Sequence, residues 1–143
     1  MAAPRTVRLA DEAATRALGA ELLSDLHAGD VVLLEGELGA GKTTLVRGLV
    51  EALGRTEPVR SPTFNLVQLF DSDPPVMHAD LYRVKSHKGI GIEDYLDTHL
   101  CLIEWPDRAA GPVPDGEAWH VLLQFADPGR IATVTPPPGF DRR

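Results

Sequence analysis

Gly36-Glu37-Leu38-Gly39-Ala40-Gly41-Lys42-Thr43 fits the pattern G-x-x-x-x-G-K-[ST] at every fixed position, which marks a phosphate-binding loop. Glycines let the backbone curl so that several N–H groups converge on one phosphate chain. A lysine at position 42 would reach the β- and γ-phosphates, and the Thr43 hydroxyl would ligate Mg²⁺. The pattern requires a strand before it and a helix after it. Val31-Val32-Leu33-Leu34 is a short apolar run rich in β-branched residues, as a buried parallel strand requires. Beyond the loop, Leu45, Val46, Leu49, Val50 and Leu53 recur at helical spacing, and Gly54 supplies a stop. Such a helix points its partially positive N-terminus at the phosphates. The expected nucleotide contacts are therefore Glu37, Leu38, Gly39, Ala40, Gly41, Lys42, Thr43 and Thr44. The expected fold is α/β: a P-loop NTPase-like central sheet of mostly parallel strands, with flanking helices and a β-hairpin.

The bulk properties agree with one such domain. The chain has 143 residues, 43% of them hydrophobic and 24% charged, enough to bury one core. No run approaches the ~18 apolar residues of a membrane span. The start, Met1-Ala2-Ala3-Pro4-Arg5-Thr6, lacks the apolar stretch of a signal peptide, so a cytoplasmic location is expected. A net charge of −7 does not suit a free-standing nucleic-acid binder. Any RNA contact is expected to come through a partner. The single cysteine, Cys101, sits in an apolar run and reads as a buried structural thiol.

The remaining elements follow from periodicity and turn residues. Residues 5–9 read as a first strand. Asp11 can cap a helix running to about His27, with Ala14, Leu18, Leu22, Leu23 and Leu26 on one apolar face. Phe64 to Phe70 alternates like a half-buried strand, and Val76 to Leu81 returns from the turn at Asp71-Ser72-Asp73-Pro74-Pro75, which makes a hairpin. Residues 84–92 read as a loop, Glu93 to His99 as a short helix, and Leu100 to Ile103 as a buried strand. His120 to Phe125 and Arg130 to Val134 read as late strands paired across Asp127-Pro128-Gly129. One domain is expected over residues 1–135, with 136–143 a disordered tail.

Turnover of a nucleotide needs more than the loop: a further carboxylate at the metal, a group to orient water and a sensor of the γ-phosphate. Glu104 ends a predicted central strand, where open α/β sheets place their ligand crevice. It is the first candidate, against the plain alternative of a strand-end acid facing solvent. Asp80 ends another strand and is the second candidate, although alone such an acid is more often a turn residue or an ion-pair partner. Thr63, in the proline-stiffened segment Pro58 to Thr63, is placed either like a switch threonine or like an ordinary turn threonine. His78 lies two residues before Asp80 on the same strand face, which would place it near the site, although a lone strand histidine is more often simply a satisfied polar group. Trp105 reads as core packing or a stacking platform. The other histidines show no metal-ligand spacing. A guanine-reading Asn-Lys-x-Asp segment is missing.

Four segments together resemble one family. They are Gly36 to Thr44, Ser61-Pro62-Thr63-Phe64, His78-Ala79-Asp80-Leu81-Tyr82-Arg83, and Leu102-Ile103-Glu104-Trp105-Pro106-Asp107-Arg108. In order and spacing they are similar to the TsaE family, small bacterial P-loop ATPases of tRNA threonylcarbamoyladenosine biosynthesis, over roughly residues 5–135. The resemblance implies ATP and Mg²⁺ as cofactors and the TsaB–TsaD heterodimer as partner, with tRNA reached only through that pair. TsaD performs the transfer, and the family member resets the machine by binding and hydrolysing ATP. Carried over, Lys42 and Thr43 serve the phosphates and the metal, and Thr63 belongs to a switch-like loop. Asp80 and Glu104 are the acids near the metal, either of which could orient water. Adenine is implied beside the N-terminal helix, near Thr15 and Leu18.

One stretch departs from the family. A Glu-Glu-Leu-like helical segment usually follows the Asp-Leu-Tyr-Arg segment. Here Lys85-Ser86-His87-Lys88-Gly89-Ile90-Gly91 lacks both acids, which implies altered contact chemistry if that stretch meets the partner. Slow hydrolysis is expected from the chain alone, for it shows no evident arginine finger; Arg47, Arg60, Arg83 or the partner could supply one. Two rival readings stand beside this one. A small P-loop kinase would use an arginine-rich lid, whereas residues 84–92 hold two lysines and no arginine. A nucleotide-gated binding module would lack meaningful turnover.

Overall fold

The computed structural model describes residues 4–37, 39–59, 67–81, 92–104 and 117–140. Its strands are β1 (Arg5–Leu9), β2 (Val31–Gly36), β3 (Val67–Phe70), β4 (Val76–Asp80), β5 (Leu100–Glu104), β6 (Trp119–Phe125) and β7 (Arg130–Thr135). Its α-helices are α1 (Glu12–Leu22) and α2 (Lys42–Ala52). The strands form a single sheet in the order β1-β7-β6-β2-β5-β4-β3. The central four, β6, β2, β5 and β4, are mutually parallel. Antiparallel strands extend both edges: β3 beside β4, and β7 then β1 beside β6.

Strand alternation sorts the core into two layers. Val32, Leu34, Leu102, Val121 and Leu123 face α1 and α2 in the larger cluster. Leu33, Met77, Ala79, Cys101 and Ile103 form a smaller cluster on the opposite face, with Ile92 and Leu81. Strands buried on both faces must be apolar throughout, which explains the unbroken Val31 to Leu34 and Leu100 to Ile103 runs. Each fully buried Leu, Ile or Val contributes about 1.5–3 kcal/mol.

The helices touch each other at glycines. A Cβ on Gly48 would lie 2.1 Å from the Arg16 carbonyl oxygen, and one on Gly19 would lie 2.2 Å from that of Leu45. Only hydrogen fits at these two crossings, so α1 is pressed against α2 and both lie on one side of the sheet. Arg16 and Glu51 add a bidentate ion pair at the rim, with a shortest separation of 2.8 Å, worth at most about 1 kcal/mol at such exposure.

Most predicted elements form, with three differences. Asp11 caps α1 as expected, its Oδ1 accepting from the Ala14 N–H at 2.9 Å. The α-helix nevertheless ends at Leu22 and not near His27; a 3₁₀ turn, Leu23–Asp25, follows. Ser24 donates to the Glu21 carbonyl, and Leu26 reaches the core from an extended backbone. Its apolar character reflects burial, not helical phase. The helix expected over Glu93 to His99 is a 3₁₀ turn, Ile92–Tyr95, closed by Thr98 and His99 N–H groups on the Tyr95 carbonyl. The tail read as disordered packs as far as Phe140, whose ring meets Trp119 edge-on at 4.7 Å. No helix among the described residues is long and apolar enough to cross a membrane.

Candidate functional site

The loop joins the end of β2 to the start of α2. Its first glycine, Gly36, sits at φ 146° beside β6, where a Cβ would approach the Leu123 carbonyl oxygen to 2.4 Å. That position therefore admits glycine alone. Gly39 and Gly41 also take positive φ, 83° and 110°, and the Ala40 N–H closes a turn on the Glu37 carbonyl at 3.0 Å. Backbone of this kind turns consecutive N–H groups toward a common centre, which suits an anion. Glu37 and Gly39 are exposed, Ala40 is buried, and Thr44 is half-buried. Leu38 lies outside the described residues.

Lys42 opens α2 and is only 7% exposed. Its Nζ donates to the Gly36 carbonyl at 2.6 Å, so the side chain spans the loop from its last residue to its first. An ammonium has three N–H donors, which suits it to brace the loop and address an anion together. The N-terminus of the eleven-residue α2 adds its own positive end at the same place.

The acids arrive from the neighbouring parallel strands. Glu104 lies in register with Leu34 of β2 on one side and with Asp80 of β4 on the other. Both acids thus stand at the carboxyl ends of adjacent strands, and register partners in a parallel pair share a face. Glu104 is 4% exposed and Asp80 half-buried. The Thr43 hydroxyl donates to Glu104 Oε2 at 3.2 Å. A hydroxyl that gives its proton to a carboxylate keeps its oxygen lone pairs for a cation. One threonine oxygen, one or two carboxylates, waters and phosphate oxygens make the set that Mg²⁺ favours. Among the described residues no group of three or more His, Cys, Asp and Glu side chains gathers as an all-protein metal cage. The residues present fit a nucleotide-borne magnesium.

His78, ambiguous in sequence, is drawn into this cluster. It is fully buried, with Nε2 2.6 Å from Glu104 Oε2. Its shared strand face with Asp80 was the sequence signal. Arg130 is a residue that sequence reading missed: it donates to the Gly39 carbonyl at 3.3 Å and lies over the Phe125 ring at 4.3 Å. No local pattern announces its reach to Gly39, because that contact depends on β6 lying beside β2, which brings the β6–β7 hairpin up to the loop. Thr63, Arg60, Arg83 and Trp105 lie outside the described residues.

A cavity of about 280 Å³ opens beside the loop, lined by Asp11, Thr15, Gly39, Gly41, Thr44 and Arg130 among others. Thr15, one of the two residues beside which the family resemblance implies adenine, lines this cavity. Leu18 does not line the cavity; it is a core residue, 2% exposed. A larger cavity, about 330 Å³, lies at the far end of α2 among Arg47, Gly54, Glu57 and Val59. Size does not decide between them, since the loop glycines border only the smaller one. Arg47 belongs to the far cavity. Cys101 is buried in the smaller core cluster, and desolvation pushes its thiol up to about 12, which disfavours the thiolate.

Comparison with known proteins gives the same grouping. The family model described as "Threonylcarbamoyl adenosine biosynthesis protein TsaE" matches residues 9–130. A tRNA threonylcarbamoyladenosine biosynthesis protein TsaE from Nostoc sp. is 42% identical over 137 residues, covering 90% of this chain and 83% of the relative. One from Bacillus subtilis is 37% identical over 110 residues, covering 75% and 70%. The crystal structure of Bacillus subtilis YdiB superposes with a TM-score of 0.77 at 29% identity, covering 95% of this chain and 87% of that one. A family model matched over residues 9–130 and relatives 37–42% identical over most of the chain lead to one conclusion: the chain belongs to the TsaE family, whose members act in tRNA threonylcarbamoyladenosine biosynthesis.

Proposed function

We propose that this protein is the Mg²⁺-dependent ATPase of that modification pathway, acting in the cytoplasm on a TsaB–TsaD complex without performing the transfer itself. The observation that carries the reading is the Thr43–Glu104 contact, which joins a phosphate-type loop to a strand-end acid that has Asp80 in register beside it. In this reading Lys42 holds the β- and γ-phosphates, and Thr43 with Glu104 and Asp80 holds Mg²⁺. One of the two acids orients the attacking water. The residues Glu37 to Thr44 cradle the phosphates, and Thr63 senses the γ-phosphate. The cavity beside Thr15 receives the base. The net charge of −7 leaves tRNA contact to the partners. Cycles of ATP binding and hydrolysis reset the partner complex between transfers.

The test is Mg·ATP hydrolysis by the chain alone and with TsaB–TsaD from the same organism. Slow turnover alone and marked stimulation by the pair is the expected result. Tight nucleotide binding with no hydrolysis under either condition would replace the ATPase reading with that of a nucleotide-gated binding module.

A further inference from the structure

We propose that His78 is a positioning residue for Glu104: it holds one carboxylate oxygen so that the other is presented to the reacting centre. The inference rests on the functional reading above. His78 is in register with Leu102, two residues before Glu104 on the same face. The two side chains are therefore diagonal neighbours, a separation that long side chains bridge. The imidazole is fully buried and the carboxylate nearly so, with 2.6 Å between Nε2 and Oε2. Water does not compete for a contact in such surroundings, which strengthens it.

Thr43 bonds the same oxygen, at 3.2 Å. Both anchors thus fall on Oε2, and neither engages Oε1. An unanchored glutamate samples several rotamers, whereas two anchors on one oxygen fix the plane and direction of the other.

The proton arrangement follows from donor counting. An ionised carboxylate only accepts, so Nε2 carries the proton. The other ring nitrogen, Nδ1, is buried and has no hydrogen-bond partner among the described residues. A position with no role beyond filling space would be served by an apolar residue, as at its buried neighbours Met77 and Ala79. Among those described residues, Glu104 is the hydrogen-bond partner that offsets the desolvation of this imidazole.

Two measurements test the assignment. Long-range ¹⁵N–¹H NMR of the wild-type chain reads the imidazole directly, without nucleotide or partner. A protonated Nε2 whose resonance moves in Glu104→Gln is expected, and a bare Nε2 overturns the proposal. Steady-state turnover with the partner complex is the second. His78→Leu should lower kcat about 10- to 100-fold with KM for ATP unchanged, and His78→Gln, which restores an N–H donor, should recover most of it. Added to Glu104→Ala, His78→Leu should cost nothing further. Wild-type kcat in His78→Leu, or equal losses in both His78 variants at wild-type melting temperature, would overturn the proposal. A wild-type chain that never hydrolyses ATP would instead overturn the ATPase reading, and the NMR result would still decide the role of His78.

Discussion

Thr43 and Glu104 stand 61 positions apart in the chain, yet the threonine hydroxyl donates to the carboxylate at 3.2 Å. Two adjacencies bring this about. Thr43 lies in the first turn of the helix that begins where the loop after β2 ends, and β5 is the parallel neighbour of β2, with Leu34 and Glu104 in register. The sheet order, more than any local feature, thus places an acid beside the loop.

That placement separates binding from turnover. Lys42→Ala removes the ammonium that spans the loop, and we expect tight nucleotide binding to be lost. Glu104→Ala leaves the loop backbone untouched, so nucleotide affinity should hold while turnover falls by about 100-fold or more. Titration with a fluorescent nucleotide alongside a phosphate-release assay checks both. Equal affinity in Lys42→Ala and wild type would remove the loop from the site.

The contact between the helices predicts a stability effect far from the loop. In Gly48→Ala the added methyl would meet the Arg16 carbonyl oxygen at 2.1 Å, which is backbone and cannot swing aside. The helices must separate, at a cost of about 1–3 kcal/mol. Thermal melting should drop by several degrees even though alanine is the better helix former. An unchanged melting temperature would mean that α1 and α2 are not locked at this crossing.

Cys101 predicts a pH dependence. Burial raises its thiol from 9.0 to about 12, so the fold favours the protonated form. The associated stability is fully present below pH 9 and is lost as pH rises toward 12. At pH 8 an aromatic disulfide reagent should label no thiol in the folded chain and one per chain in denaturant. Rapid labelling of the folded protein would show that the β5 strand is accessible.

Much of this molecule can be read along the chain. The loop, the strands β2 and β5 and the two hairpins are visible because their signals are contiguous: glycine spacing, unbroken apolar runs and turn residues. Where the reading failed, burial had overridden a local pattern. Leu26 continues the apolar spacing of α1, but it enters the core from an extended backbone after a 3₁₀ turn. Phe140 follows three prolines and a glycine, which look like a free end. It is held because its ring packs edge to face with that of Trp119.

The sequence by itself determined the ligand class the loop suits, the α/β character and the candidate acids, since each depends on residues close together in the chain. Only the tertiary structure decided that Glu104 bonds both Thr43 and His78, that Asp80 stands in register beside it, and that Arg130 reaches Gly39. Those relationships depend on strand order and register, which are settled by how the apolar faces of distant segments pack together. No single segment holds that information.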